Sequence, residues 1–535
     1  MSKDQAPDSS GGEEAQELCA IPLLTRDGRV VHPQPTRDAH DPLNWSPMRR
    51  RMILGIVMWM YFLFAYLNTS PIPLYSQTEQ RFGVGYQETS WSVALPSVGF
   101  ALGPLLLCPI ADIYGRRIVF IGGSLVALVA TIGLATTTSF EGYLVARVFQ
   151  GIGVSPSSAT GLAIIGDLFF DYERGQKMGL WVLAIDTGFL MGAMFRGIID
   201  LAGEKWVYWL NAILLGILFL LVLLCLPETL YPRHLMLHQL PMICEGTGQS
   251  GARSQKNEPG PSPPVLPVEL RRTRDLPFFN LTPVPGIRHL RPWETLVRFA
   301  IIFRVAAFTI PLFSFCLLVY WWNPAALTMI PAAYPEYPPV IQGLFFTGFL
   351  VGMIFAETFC SGRLSDHICA KLMAKNDNVH VAKNDNVHVA EMRLWLVYPS
   401  CLLASGGLCL WGISVDRGYH WMVGQVAFFL FAVGFQTSST VLVAYLVDSY
   451  PLQSTAVIIS YSVVLNISEF ASPFFLPTWE AAQGWTWTYA TQALIVSVAA
   501  LPVFCLTHIY GPWLRSKSYQ PYWVNVELDT TGVPT

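Results

Sequence analysis

Apolar residues in this chain come in runs of about 20, long enough to cross a hydrocarbon layer about 30 Å thick as helices rising about 1.5 Å per residue. The runs span 52–72, 89–111, 118–137, 142–165, 177–199, 206–226, 298–320, 340–361, 394–414, 420–446, 454–475 and 486–508. Lipid offers a backbone no hydrogen-bond partner, so each run must close its bonds on itself as a helix. The pattern therefore predicts an all-α polytopic membrane protein with twelve transmembrane helices. Two polar stretches interrupt the rhythm. Residues 1–51 mix Gly, Ser, Glu, Pro and Arg without apolar periodicity and read as a disordered cytoplasmic tail. Residues 227–297 are basic and proline-rich around 258–267, and read as a cytoplasmic linker. The expected organisation is six helices over 52–226, the linker, six helices over 298–509, and a polar tail over 510–535.

Charge placement gives the orientation. Of the 33 lysines and arginines, Arg81, Lys205 and Arg417 fall in loops on one side and Arg147, Arg196 and Arg304 within helices. All the others fall on the side shared by both termini, in the tails and loops or, for Lys177 and Arg298, at the first residue of a run. Basic loops stay in the cytoplasm, so both termini are expected there, most naturally at the plasma membrane. Trp45 precedes the positive block Arg49-Arg50-Arg51, whereas Trp321, Trp322, Trp485 and Trp487 mark the outer interface. Composition agrees: 53% of residues are hydrophobic and 13% charged, with a mean hydropathy of +0.43, far too apolar for a soluble chain of this length. A net charge of −3 says nothing about partners, no nucleic acid partner is expected, and ten scattered cysteines imply no disulfide framework. No signal peptide is expected, the first spanning helix serving as the targeting element. No nucleophile–base pair, metal-ligand spacing or phosphate-binding glycine loop suggests an enzyme, and no cofactor or metal is expected.

The densest polar cluster between two runs is Cys108-Pro-Ile-Ala-Asp112-Ile-Tyr-Gly115-Arg116-Arg117. Asp112 lies at a helix C-terminus, where orphan carbonyls make an anion unfavourable unless a cation or another helix's N-terminus faces it. Gly115 permits the tight turn. Its Asp-x-x-Gly-Arg-Arg pattern resembles the signature loop of the major facilitator superfamily, with Cys108 where that family has a glycine. Gly362-Arg-Leu-Ser-Asp366 is a partial echo in the second half. The resemblance implies the major facilitator fold, two six-helix halves, with Asp112, Gly115, Arg116, Arg117, Gly362 and Asp366 as gate residues. Asp41-Pro-Leu-Asn-Trp-Ser46, Pro227-Glu-Thr, Glu391-Met-Arg-Leu-Trp-Leu396 and Val447-Asp-Ser-Tyr-Pro451 are similar to fungal permeases of the drug:proton antiporter type. The antiporter motif of the fifth helix is only partly present, because Ala193 and Arg196 stand where the family has proline and glycine. A tandem copy, 374–381 and 382–389, brings His380 and His388 into one loop, where no metal site is expected.

An ionisable side chain inside a spanning helix costs about 2.5–3.5 kcal/mol on insertion scales, so each one needs a reason. Arg147 opens Arg147-Val-Phe-Gln-Gly-Ile-Gly153, resembling a superfamily motif whose arginine lines the cavity and is implicated in proton coupling. Snorkelling to the surface is the competing reading. Asp186 lies near the middle of the fifth helix, and low dielectric favours the neutral form of a carboxylate. It is expected to exchange a proton and to pair with Arg147 across the cavity. Glu469, in the outer half of the eleventh helix, is a second proton candidate. Glu357 reads as an interfacial charge near Arg363, and Arg196 with Asp200 as a local pair. Asn68, Asn211, Gln425, Gln436 and Asn466 are candidates to line the substrate cavity. The glycines and prolines of the second and fourth runs suit close helix packing or moving transport helices.

Together these features imply a proton-coupled exporter of small organic molecules that works by alternating access as a monomer. Its partners are a small-molecule substrate, protons and the bilayer. A proton symporter for uptake of a polyamine, vitamin or sugar shares the scaffold, as does a non-transporting receptor.

Overall fold

The first crossing shows how a span begins here. Ser46 accepts from the amide of Arg49, and Pro47 occupies the first helical position, where a missing N–H costs nothing. In this computed structural model residues 35, 41–199, 204–231, 292–365, 367, 368, 371, 390–450 and 454–518 are described. The tandem copy, Asp200, Asp366 and most of the 227–297 stretch and of both tails lie outside them. Among the described residues there is no strand.

The N-terminal half holds α1 (Pro47–Thr69), short α2 (Tyr75–Phe82), α3 (Tyr86–Tyr114), α4 (Arg116–Thr136), α5 (Phe140–Val154), α6 (Ala159–Leu168), α7 (Asp171–Ile199) and α8 (Glu204–Cys225). A 3₁₀ turn at Ser155–Ser157 joins α5 to α6, so the two make one crossing. The C-terminal half holds α9 (Pro292–Ile302), α10 (Ala306–Phe315), α11 (Trp322–Thr328), α12 (Pro339–Leu344), α13 (Thr347–Phe355), α14 (Val397–Asp416), α15 (Trp421–Ser449), α16 (Ser454–Leu494) and α17 (Leu501–Lys517). Wider π-turns extend α10 over Cys316–Tyr320 and α13 over Ala356–Leu364, and join α16 to α17 over Ile495–Ala500.

Among the described residues, ten helical stretches are long and apolar enough to cross a membrane. One of them, Ala456–Lys517, turns back at Gly484, whose φ of 77° leaves the helical region, and so crosses twice. The helix Ala306–Tyr320 is apolar but shorter than these spans. The seventh differs from its expected span 298–320. The chain turns at Phe303–Val305, and Arg304 sits exposed in that break rather than inside a helix. The Thr309 hydroxyl donates to the carbonyls of Phe303 and Val305 and closes the break.

One apolar cluster draws its residues from Trp45 to Leu226, and a second chiefly from Ile302 to Phe504. The clusters are the cores of the two halves. The halves meet along two seams, α3 against α16 and α7 against α12 and α13. Large apolar side chains such as Leu224, Trp487, Val498 and Ile509 cover the outside, as contact with lipid tails requires. Within a half, helices approach on glycine: a methyl group on Gly99 of α3 would run into the carbonyl of Val148 on α5.

Candidate functional site

Three carboxylates lie on the seams, and each has a neutral donor as its partner. Asp186 projects from α7. Gln436 and Thr440, one turn apart on α15, face it from the other half, and Glu357 faces it from the π-turn after α13. The Gln436 amide donates both to Asp186 Oδ2 at 2.6 Å and to Glu357 Oε2 at 3.2 Å, and Thr440 donates to Glu357 at 3.1 Å. Two acidic side chains, one from each half, thus share one amide donor across the seam. Glu357 is thus a seam residue and not the interfacial charge expected. It lies at the start of the π-turn Ala356–Leu364, on the face that meets Gln436 and Thr440.

Glu469 on α16 is 2% exposed and accepts from Asn68 Nδ2 of α1 at 3.2 Å. The same amide donates to Ser97 of α3 at 3.4 Å. Asn68 Oδ1 is buried with no donor facing it. Tyr61 of α1 and Tyr320 after α10 are within electrostatic reach of both Asp186 and Glu469, and Tyr461 of α16 is within reach of Asp186. Asp186, Glu357 and these three tyrosines are half-buried although they stand mid-bundle, which marks unfilled space between the halves. Tyr61 and Asn68 are seven residues apart on one helix face, about 10 Å along α1 at 1.5 Å per residue.

Arg147 does not pair with Asp186. Its guanidinium, 2% exposed, donates to the carbonyls of Ser92, Leu67 and Asn68 and to Gln150 Oε1, at 2.7 to 3.1 Å. It fastens the end of α1 to α3 and α5 and holds the backbone of the residue that reaches Glu469. Arg196 is buried with its guanidinium over the Tyr208 ring, and its expected partner Asp200 lies outside the described residues. Of the amides, Gln436 and Asn68 reach the seam carboxylates. Gln425 accepts from the amide of Gly348 and packs α15 on α13. Asn466 donates to Ser462 of its own helix. Asn211 is buried on α8 with Oδ1 unpartnered.

At the basic end of the bundle, Gly115 (φ 107°) turns the chain from α3 to α4. Arg116 pairs with Asp167 at the end of α6. Glu228, just past α8, accepts from the first backbone amides of α4, those of Arg116 and Arg117, at 3.0 and 3.1 Å. A carboxylate there satisfies orphan donors and faces the positive helix end. A side chain on Gly115 would strike it. Asp112 ends α3 beside this turn. Gly362 lies in the π-turn Ala356–Leu364, and Asp366 is outside the described residues. In the second half, Arg393 pairs with Asp448 at 2.6 Å and Arg515 with Glu391 at 2.7 Å.

At the opposite end the halves are bonded directly. Tyr86 donates to the Thr328 carbonyl at 2.6 Å, Gln87 to Phe474 at 2.8 Å and Ser90 to Pro473 at 3.0 Å, and Trp91 stacks on Phe474. Packing of α7 is closest against α12, nearest this end, and thins toward the π-turn of Ala356–Leu364.

Among the described residues no group of three His, Cys, Asp or Glu could hold a metal ion, and His380 and His388 lie outside them. Sequence reasoning missed the capping role of Glu228 and the seam position of Glu357. The first was readable: α4 starts at a glycine, which has no side chain to cap it, so an acceptor had to come from elsewhere.

A family model described as the Major Facilitator Superfamily matches residues 57–473. The sequence is 26% identical to the MFS transporter cpaT of Aspergillus oryzae over 95% of each chain. It is 24% identical to the MFS-type efflux pump MFS2 of Trichophyton rubrum, over 90% of this chain and 75% of that one. A solved structure of the xylose transporter XylE from E. coli, in a partially occluded inward open conformation, superposes with a TM-score of 0.56 at 12% identity. That match covers 86% of this chain and 99% of the other, and at such identity it speaks for the fold alone.

Proposed function

This chain belongs to the major facilitator superfamily, and on that premise we propose that it is a proton-coupled secondary transporter that exports small organic molecules such as drugs, toxins or secondary metabolites. The observation that carries the reading is the bond from Gln436 to Asp186, which crosses the seam in the middle of the bundle beside a second acidic group, Glu357. A proton gained or lost there changes how strongly one half holds the other.

The basic end is cytoplasmic by the distribution of lysine and arginine. The bonds of Tyr86, Gln87 and Ser90 then close the outer side, in a state whose substrate path leads inward. Substrate enters from the cytoplasm and displaces a proton from a seam carboxylate. The outer contacts part while Asp112, Gly115, Arg116, Arg117, Gly362 and Asp366 close the inner gate, and an external proton releases the substrate. Each unit of difference in proton affinity between the two states supplies about 1.4 kcal/mol of coupling. Export, rather than uptake, is supported by the efflux pump of Trichophyton rubrum among the relatives. The protein acts as a monomer in the plasma membrane with both termini inside.

Everted vesicles with an acid lumen test this against a panel of cationic, neutral and anionic dyes. At least one dye is expected to accumulate, the accumulation collapsing with a protonophore and failing in Asp186→Asn. Accumulation only when the acid side is outside would mean uptake symport, and gradient-independent equilibration would remove proton coupling.

A further inference from the structure

We propose that the groove between α1 and α7 on the surface of the N-terminal half binds an anionic phospholipid from the leaflet at the basic end of the bundle. One acyl chain lies in the groove and the headgroup is held by Arg51 and Lys177. The site stands apart from the seam and does not depend on the seam being a substrate path.

The two helices run parallel and touch backbone to backbone at two glycines. A methyl group on Gly188 would run into the carbonyl of Phe62, and one on Gly192 into the carbonyl of Tyr66. Toward the basic end the helices part, and the stacked rings of Tyr61 and Trp181, centroids 4.2 Å apart, fill the gap on the side facing the bundle. The other side stays open. Gly55 is exposed there, and a methyl group added to it would meet no atom within 4 Å. What remains is a groove of about 340 Å³, walled by Trp59 and Phe62 on α1 and by Leu180, Leu183 and the buried Ala184 on α7.

The lining suits hydrocarbon. Trp59 stacks on Phe62 with ring planes 10° apart, which makes a flat apolar wall. The Thr187 hydroxyl is spent on the carbonyls of Leu183 and Ala184 in its own helix, and the indole nitrogen of Trp59 is buried. The groove therefore rewards apolar contact and not hydrogen bonding. Its depth fits one leaflet. From the contact of Gly188 with Phe62 down to Lys177 and Arg51 is eleven residues on each helix. That is about 16 Å at 1.5 Å per residue, about half of a hydrocarbon core about 30 Å thick.

Charge at the open end selects the lipid. Arg51 precedes Gly55 and Phe62 on one stripe of α1, and Lys177 precedes Leu180 and Ala184 on one stripe of α7. The residue offset that joins Gly188 to Phe62 and Gly192 to Tyr66 also joins Lys177 to Arg51, so the two cations stand at one level. Their neighbours are engaged elsewhere: Arg49 lies over the Trp45 ring, and Arg50 donates to the Leu168 carbonyl. Arg51 is exposed, and the Lys177 ammonium lies 5.7 Å from the centroid of the Phe169 ring. Among the described residues neither is in an ion pair. A headgroup of net negative charge answers both. A zwitterionic headgroup brings its own ammonium, and a sterol brings no charge.

The test titrates the purified full-length chain in mild detergent with dioleoyl phosphatidylserine or dioleoyl phosphatidylcholine, two lipids with the same chains, and counts retained lipid by native mass spectrometry. One phosphatidylserine is expected to bind about tenfold or more tightly than phosphatidylcholine, the effect of two cations near a membrane surface. Gly55→Phe places a ring in the open groove and should cost both lipids about tenfold or more through lost methylene contacts. Its melting midpoint in lipid-free detergent should match that of the wild type, showing that it folds. The double variant Arg51→Gln, Lys177→Gln should lose the preference for phosphatidylserine and keep wild-type binding of phosphatidylcholine. Equal binding of the two lipids to the wild type overturns the site, as does phosphatidylserine binding unchanged in the folded Gly55→Phe or in the double variant. Cholesterol that displaces phosphatidylserine from the wild type would give the groove to a sterol, and a dimer that Gly55→Phe dissociates would give it to a second copy; either overturns the lipid assignment. No gradient enters the measurement, so its failure leaves the export reading standing, and failure of the vesicle assay leaves the lipid site.

Discussion

Gln436 holds Asp186 of one half and Glu357 of the other with a single side-chain amide, at 2.6 and 3.2 Å. Replacing it with leucine keeps the volume and removes both donors. Glu357 keeps the Thr440 hydroxyl, whereas Asp186 loses the Gln436 donor, at a cost of about 1–3 kcal/mol. Gln436→Leu is therefore expected to lower gradient-driven accumulation by roughly tenfold or more, since about 1.4 kcal/mol is a factor of ten. Initial rates in vesicles measure this, and an unchanged rate would mean that the bond has no part in the cycle.

Arg147 makes four hydrogen bonds that a lysine cannot reproduce, because an ammonium has no planar fork. Arg147→Lys leaves carbonyls at the end of α1 unsatisfied and loosens Asn68. A loss of stability on the order of 2–3 kcal/mol follows from that many buried acceptors. Thermal unfolding in detergent reads it as a lowered midpoint. Restoration by arginine alone, and not by lysine, is the expected signature of the fork rather than of the charge.

Glu228 caps the amides of Arg116 and Arg117 at the start of α4. Glu228→Ala should cost about 1–2 kcal/mol, the range for loss of a helix N-cap. Gly115→Ala strains a backbone at φ 107° and drives a methyl group into the same carboxylate, so it should destabilise as well. Both variants lower the melting midpoint, whereas ligand affinity at the seam, half a bundle away, stays within about twofold for such distant sites.

Thr478 Oγ1 lies 3.4 Å from Gln87 Oε1 across the outer contact. In a background stripped of native cysteines, the pair Gln87→Cys and Thr478→Cys should form a disulfide on oxidation and stop transport. Dithiothreitol should restore it. Full activity in the cross-linked protein would show that this contact never opens.

The crossings were legible because lipid leaves the backbone no alternative to a helix, and a run such as 118–137 has nothing else to become. The seventh crossing was misjudged at Arg304: an apolar run can contain an arginine, and only the packing shows that the chain turns to free it. The site was half legible. A charge inside a span is visible in sequence, so Asp186 and Glu469 stand out on cost alone. Its partner is not visible, because which helix face meets which is a tertiary outcome. Arg147 and Asp186 were natural partners by charge, yet Arg147 is satisfied by carbonyls of α1 and α3, and a glutamine takes its place beside Asp186. Glu357 was placed by its closeness to Arg363 near a helix end, and depth along a helix does not tell which face meets the other half.

The central claim is that proton occupancy of the seam carboxylates sets which side of the bundle is open. Spin labels at Glu141 and Ala482, exposed positions of opposite halves at the end away from the basic loops, report that opening through their distance distribution. The account predicts two populations whose ratio shifts with pH, and a ratio fixed at every pH in the double variant Asp186→Asn, Glu469→Gln. A wild-type distribution that does not respond to pH, or a double variant that still responds as wild type does, would contradict it.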